Sequence, residues 1–334
     1  MRVVSASSGD AGVRPLLKWA GGKRQLLPAL RPYYPARFDR YVEPFLGSGA
    51  VFFDLLNTGR LDGRAVELVD MNPDLVGCYR MVRDDAEGVI AALSALAEEH
   101  RRRGDACYYD VRDRRFNPAR SALGDRTADA YTPALAAMLV YLNRTGFNGL
   151  YRLNRRGEFN VPAGRYADPT ICDAANLRAV ARALAAGNVS LDCGPFDRTL
   201  ALARRGDFIY CDPPYAPLSR TSSFAGYTAA GFTAADQERL QDAVVEAAGR
   251  GAVILVSNSS APEIEQGYST RAARGAGLAV RRVPARRAIN SRAARRGPID
   301  ELIISNARIP GRGSLRMATA SLSAAGRKPK RAEK

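Results

Sequence analysis

Phe208-Ile209-Tyr210-Cys211-Asp212-Pro213-Pro214-Tyr215 is the stretch on which the fold turns. Four apolar residues that read as a buried strand run directly into an acid, two ring-locked residues and an aromatic. In an open α/β sheet, ligands bind outside the carboxyl ends of the strands, so the last four residues stand where a ligand would sit. Their chemistry suits a flat, amine-bearing ring. The Asp212 carboxylate can accept one N–H, the Pro213 carbonyl the other, and Tyr215 offers a face for stacking, with Pro214 stiffening the platform. A ring amine is a poor nucleophile because its lone pair is delocalised. Two fixed acceptors return density to the nitrogen, which is preorganised electrostatic catalysis that needs neither a metal nor a histidine. Read alone, the same four residues also suit a proline-stiffened turn.

Working outward, Tyr41-Val42-Glu43 reads as a strand that enters Pro44-Phe45-Leu46-Gly47-Ser48-Gly49, followed by helical apolar spacing over residues 50–56 and a second strand over 65–69 that ends on Asp70. Strand, glycine turn, helix, strand and acid form the layout of a nucleoside-binding βαβ unit. Its glycines let the backbone approach a ligand, and its acid can accept both ribose hydroxyls. Asp70 lies 23 residues after Gly47, and Phe52 stands where a dinucleotide fingerprint has its third glycine. A ligand carrying one nucleoside, such as S-adenosylmethionine, is therefore favoured over a dinucleotide. Before this unit, residues 16–23 make a short apolar lead into a glycine turn.

Residues 73–143 read as helical, with Leu135, Leu139 and Leu142 on one face of the last helix. Residues 147–162 alternate about an Asn154-Arg155-Arg156-Gly157 turn and are expected to form a hairpin with arginines near its tip, suited either to nucleic-acid contact or to an ordinary surface. Strands are expected at 188–191, 207–211, 252–257, 278–283 and 300–305, with a helix starting at Thr233-Ala234-Ala235-Asp236. Between the last two strands, seven arginines from Arg281 to Arg296 with no acid among them suit a phosphate clamp or a solvated loop.

The chain of 334 residues is 46% apolar, enough for one large α/β domain and a smaller one. Neither an eighteen-residue apolar run nor a signal-peptide succession occurs in it, which argues against a membrane span and for a cytoplasmic protein. Cys78, Cys107, Cys172, Cys193 and Cys211 are scattered without a C-x-x-C pair and are expected to be reduced thiols outside any zinc site. The single histidine, His100, precedes three arginines and is expected at a solvated helix end. Net charge is +16. Residues 311–334 hold seven cations and one acid, so +10 remains without them. A polyanion is the natural partner, nucleic acid first, although a charge tuned for solubility has the same composition.

With these residues in view, the chain resembles the Dam-type DNA adenine-N6 methyltransferases, in which a glycine motif precedes the Asp-Pro-Pro-Tyr motif and the recognition region lies between them. The likeness runs from about Leu16 to Asn306 and is carried by long motifs. These are Leu17-Lys18-Trp19-Ala20-Gly21-Gly22-Lys23, Val42-Glu43-Pro44-Phe45-Leu46-Gly47-Ser48-Gly49, Leu142-Asn143-Arg144, Arg156-Gly157-Glu158-Phe159-Asn160-Val161-Pro162 and Tyr210-Cys211-Asp212-Pro213-Pro214-Tyr215-Ala216-Pro217-Leu218-Ser219.

The resemblance implies an α/β, Rossmann-like methyltransferase sheet with helices on both faces and a smaller helical and β-hairpin recognition domain inserted. The catalytic domain would span 14–72 and 166–310 and the recognition domain 73–165, with an unstructured arm at 1–13 and a basic tail at 311–334. It implies S-adenosylmethionine held by Trp19, Lys23, Glu43, Phe45, Gly47, Ser48, Gly49, Asp70 and Asp212, and amine chemistry at Asp212, Pro213, Pro214 and Tyr215, with no metal. Double-stranded DNA would meet Lys18, Arg144, Asn148, Leu150, Arg152, Pro162 and Arg165, with Arg152 reading a guanine and Leu150 and Pro162 meeting a thymine methyl. The implied site is GATC, the base is flipped out, and the attack is direct and in line, by a monomer. Phe147 stands where a tyrosine is frequent in the family, and Tyr151 and the arginine-rich loop also depart from its pattern. Methylation of cytosine N4 or of an RNA adenine, or DNA binding without catalysis, remain open beside this reading. So does the choice between a restriction-modification partner and a solitary enzyme.

Overall fold

The structure is a computed structural model that describes residues 12–19, 23–124, 128–215, 232–285 and 299–308. Its centre is a seven-stranded sheet built from β1 (Arg40–Glu43), β2 (Ala65–Asp70), β3 (Val189–Cys193), β4 (Asp207–Cys211), β5 (Val253–Ser259), β6 (Ala279–Ala285) and β7 (Ile299–Ser305). The strand order is β3-β2-β1-β4-β5-β7-β6. The first five strands are parallel, and β7 enters antiparallel between β5 and β6. Both observations are those of a Rossmann-like methyltransferase sheet.

Side chains alternate across the sheet as period two requires. Tyr41, Phe208, Tyr210, Leu255 and Ile303 enter one core, while Val42, Ile209, Cys211, Ile254, Val256, Leu302 and Ile304 enter the other. Each core is covered by helices, so the central strands β1, β4 and β5 are buried on both faces, and β4 and the first half of β5 read as continuous apolar runs. The order reverses between β1 and β4, which are neighbours although 164 residues of chain separate Glu43 from Asp207. Their carboxyl ends, Glu43 and Cys211, therefore open side by side at the switch point where such sheets bind ligands.

Several helix starts follow directly from local chemistry. Asn72 precedes Pro73 and accepts the backbone N–H groups of Asp74 and Leu75, opening the helix Pro73–Asp84 at the tip of β2. Thr233 and Asp236 form a reciprocal capping box ahead of Ala234–Gly249. The helix Pro133–Thr145 buries Leu135, Leu139 and Leu142 as expected. It also buries Ala136, Ala137, Val140 and Tyr141, because Pro73–Asp84 and Ala86–Arg103 flank it.

Three expectations are corrected. The hairpin over 147–162 pairs only in part: Phe147–Gly149 is a 3-10 turn, Asn154 N–H donates to the Glu158 carbonyl at 2.8 Å and Asn160 N–H to the Arg152 carbonyl at 3.1 Å about the bend, and the bridges are isolated ones at Leu153–Phe159 and Gly146–Ala163. Helical side chains satisfy other backbone groups of the segment. Arg120 donates to the Gly157 carbonyl at 2.6 Å, Asn117 both donates to and accepts from Phe159, and Tyr108 and Arg112 donate to the Val161 carbonyl at 2.9 and 3.0 Å. His100 lies in the last turn of its helix, as expected, but is not fully solvated. It sits half-buried with Nδ1 2.8 Å from the Tyr141 hydroxyl, and burial lowers its pKa. Val13, expected in the unstructured arm, exchanges two hydrogen bonds with Asn57, each 2.9 Å. Residues 1–11, most of the arginine-rich loop and the tail from 309 onward lie outside the described residues. At the edge of that loop, Arg282 pairs with Glu265.

Candidate active site

The glycine turn after β1 is held from two sides. Leu46 N–H donates to the Val69 carbonyl at 2.9 Å, tying the turn to β2, and the Asp70 carboxylate accepts Gly47 N–H and Asn72 N–H, both at 2.9 Å. Asp70 thus braces the turn through one lone pair on each oxygen and keeps the other available. Burial pushes its carboxyl up to about 6 against the pull of those two backbone donors. Gly47 and Gly49 have φ of +49° and +65°, which only glycine adopts without strain, and a Cβ on Gly47 would stand 3.0 Å from Cδ1 of Trp19. The cradle is therefore as tight as the backbone permits, with the Trp19 ring as one wall.

Phe45 stacks on Phe196 at 5.3 Å and meets the edge of Phe232. Ser48 is buried, and its carbonyl accepts the Tyr79 hydroxyl. Glu43 is 1% exposed, accepts the Tyr41 hydroxyl at 2.8 Å, and is driven well above the usual carboxylate range by burial. Beside Asp70, Met71 exposes its apolar side chain.

Across the switch point, Asp212 follows β4 with its side chain 22% exposed. Lys23, only 4% exposed, places Nζ 3.0 Å from Asp212 Oδ1, donates to the Tyr215 hydroxyl, and lies 4.2 Å from the centre of that ring. Ser257 on the neighbouring β5 donates to Asp212 Oδ1 at 3.1 Å and is itself 2.9 Å from the Tyr210 hydroxyl. Burial lifts the Asp212 carboxyl to about 6, Lys23 works against this, and Glu301 adds to it. Glu301 on β7 was missed by sequence reasoning. Its Oε2 is buried without a hydrogen-bond partner among the described residues and lies 3.9 Å from Lys23 Nζ. The signal available for Ser257 and Glu301 was a polar residue on an otherwise apolar strand beside β4.

The Pro214 carbonyl already accepts from Gln237 at 2.9 Å. Pro213 is buried, and its carbonyl receives no donor among the described residues. Lys23 thus ties together Asp212, Tyr215 and, at 3.9 Å, Glu301.

The residues expected to meet DNA lie on the inserted region and on the strap before Lys23. Lys18, Asn148, Arg152, Pro162 and Arg165 are exposed and Leu150 is half-exposed. Asn148 has φ of +54°, unusual for a side chain with Cβ, and turns beside the exposed ring of Phe147. Arg152 Nε donates to Asn160 Oδ1 at 2.7 Å across the bend. Lys18 holds its ammonium 4.4 Å from the centre of the Tyr166 ring, and partial burial, with Arg144 nearby, lowers its pKa. Arg144 turns inward and donates to the Leu16 carbonyl at 2.7 Å, bracing the strap from below. Among the described residues no group of three His, Cys, Asp or Glu side chains could hold a metal ion, and no helix is long and apolar enough to cross a membrane.

The profile of the D12 class N6 adenine-specific DNA methyltransferases matches residues 19–280. A type II methyltransferase of Lactococcus lactis subsp. cremoris, M1.LlaDCHI, is 36% identical over 295 residues, covering 88% of this chain and 95% of that one. Another, M.MjaIII of Methanocaldococcus jannaschii, is 37% identical over 88% of this chain and 99% of its own. A DNA adenine methylase of Vibrio cholerae is 37% identical over 87% and 95%. A sheet with β7 reversed between β5 and β6, a braced glycine turn and an Asp-Pro-Pro-Tyr platform at its switch point accompany that likeness over most of the sequence, and the chain belongs to the D12 class of N6 adenine-specific DNA methyltransferases.

Proposed function

We propose that the protein methylates adenine N6 at GATC in duplex DNA, using S-adenosylmethionine as donor and acting on a flipped base. The observation that carries this reading is Asp212, whose Oδ1 is held by Lys23 and Ser257 while Oδ2 takes no donor among the described residues, beside a Pro213 carbonyl that likewise receives none there. Two acceptors so placed can hold both N–H groups of one exocyclic amine and restore electron density to its nitrogen. A base inside a duplex cannot reach such a pair, hence flipping. When bound, the donor supplies an electrophilic methyl group. The residues suited to hold it are Trp19, Phe45, Met71, the Gly47-Ser48-Gly49 turn and Asp70, whose remaining lone pairs suit ribose hydroxyls. Tyr215, pinned by Lys23, offers its face to the base.

Target reading is assigned to residues 73–165 with Lys18 and Arg165. The Arg152 guanidinium can bond O6 and N7 of a guanine together, and Leu150 and Pro162 supply apolar contact for a thymine methyl. The net charge of +16 serves the phosphates. Treating unmethylated plasmid with the protein and donor, then digesting with nucleases that cut GATC only in one methylation state and analysing nucleosides by mass, tests the reading. N6-methyladenine and protection at GATC are expected. Methyl groups on cytosine, or in RNA only, would overturn it.

A further inference from the structure

We infer that Tyr151 is a positioning residue that couples target recognition to methyl-donor binding, so that each ligand tightens the other through this side chain. The inference rests on the proposed placement of donor and duplex. Tyr151 belongs to the DNA-facing segment but is buried, with its ring stacked on Trp19 at 5.5 Å and 27°. Trp19 in turn walls the Gly47 turn. At its other end, the Tyr151 hydroxyl donates to Asp74, a carboxylate with no exposure at all. Asp74 opens the same helix that Asn72 caps, and Asn72 N–H bonds Asp70, which braces Gly47. The contacts close a ring: Gly47, Trp19, Tyr151, Asp74, Asn72, Asp70 and back to Gly47.

Two attachments bring the DNA side into that ring. Arg120 Nε donates to Asp74 Oδ2 at 2.5 Å while its other arm holds the Gly157 carbonyl at the bend of the reading segment. Asn143 accepts Lys18 N–H at 2.8 Å and donates to the carbonyls of both Lys18 and Gly149, so Lys18, facing DNA, and Trp19, facing the donor, are consecutive residues of one clamped strap. Displacement of the reading segment on a duplex cannot leave the Trp19 wall unmoved while Tyr151 bridges them, and linkage makes the effect reciprocal.

Trp19 is the sole tryptophan, so its fluorescence reports the bridge directly. The test titrates the full chain with S-adenosylhomocysteine, which cannot turn over, with and without a short duplex carrying GATC, for wild type, Tyr151→Phe and Tyr151→Leu. Duplex affinity is followed by anisotropy. In the wild type the duplex should tighten S-adenosylhomocysteine binding about fivefold or more. That ratio should shrink in Tyr151→Phe, which keeps the stack and loses the Asp74 bond, and fall to about one in Tyr151→Leu. A residue that merely fills the core changes melting temperature and leaves the ratio alone. A wild-type ratio of one, or an unchanged ratio in both variants, overturns the inference while the proposed function stands. If Tyr151→Leu does not fold, the Tyr151→Phe ratio decides alone. Wild-type protein that binds neither S-adenosylhomocysteine nor duplex removes the proposed function and the inference together.

Discussion

Asp212 and Asp74 are two carboxylates with nearly the same company and different access to solvent. Each has one cation close by, Lys23 at 3.0 Å or Arg120 at 2.5 Å, and each belongs to a cluster with a tyrosine hydroxyl. Asp74 has no exposure and also receives the Tyr131 hydroxyl, so its bonds are all internal. Asp212 stays partly open at the switch point, next to a carbonyl that receives no donor among the described residues. A carboxylate closed on all sides holds segments together. One left open on a single side can act on a ligand. The difference lies in access rather than in residue type.

The strongest way to break that comparison is Asp74→Ala. It strands the mostly buried Arg120 guanidinium without its partner and should cost about 3–5 kcal/mol of stability in urea unfolding, because an uncompensated buried charge remains. Intact stability with lost turnover would put Asp74 in the same role as Asp212. The converse change, Asp212→Ala, should lower single-turnover methyl transfer by about 10²–10³, as for loss of a preorganised hydrogen-bond partner at a reacting group, with duplex affinity by anisotropy nearly unchanged. Equal loss of folding and DNA binding would erase the distinction.

Arg152→Ala sharpens the contrast between chemistry and reading. It should reduce discrimination at one base pair of the site by about 1–3 kcal/mol in competition against single-substituted duplexes. A uniform loss across all sequences would make Arg152 a phosphate contact. The gentlest test is pH. In the proposed role Asp212 must be ionised to accept the amine, and burial lifts its carboxyl to about 6, so turnover is expected to be full well above that value and to fall as protons bind below it. At pH 5 the rate should be down about tenfold, or 1.4 kcal/mol, by stopped assay of labelled methyl transfer. A flat profile from pH 5 to 8 would mean that the carboxylate is not required in its charged form.

The sheet and its tips were legible because strands buried on both faces leave unbroken apolar runs, and the residues at their ends, Glu43, Asp70 and Asp212, announce themselves by contrast. The ring through Asp74 was not. Its partners Arg120 and Tyr151 lie 46 and 77 residues away, and nothing local marks an acid in the first turn of a helix as more than a favourable end charge. The reading segment misled for a related reason. Its alternation is real, with Tyr151, Phe159 and Val161 buried, and its backbone pairs across the bend, but further partners are side chains from the helices at 105–121, which no period along the chain reveals. Ser257 and Glu301 were hidden inside strands whose apolar neighbours dominate the pattern.

Under the proposed role of Arg152 as a base reader, the bond from its Nε to Asn160 bears on timing. A guanidinium already aimed by its neighbour surrenders little rotational freedom when it meets the correct base, so less of that contact's strength is consumed in ordering it. Wrong sequences would then be rejected by quick departure rather than slow arrival, letting the protein sample many sites on a long duplex without lingering at those that do not fit.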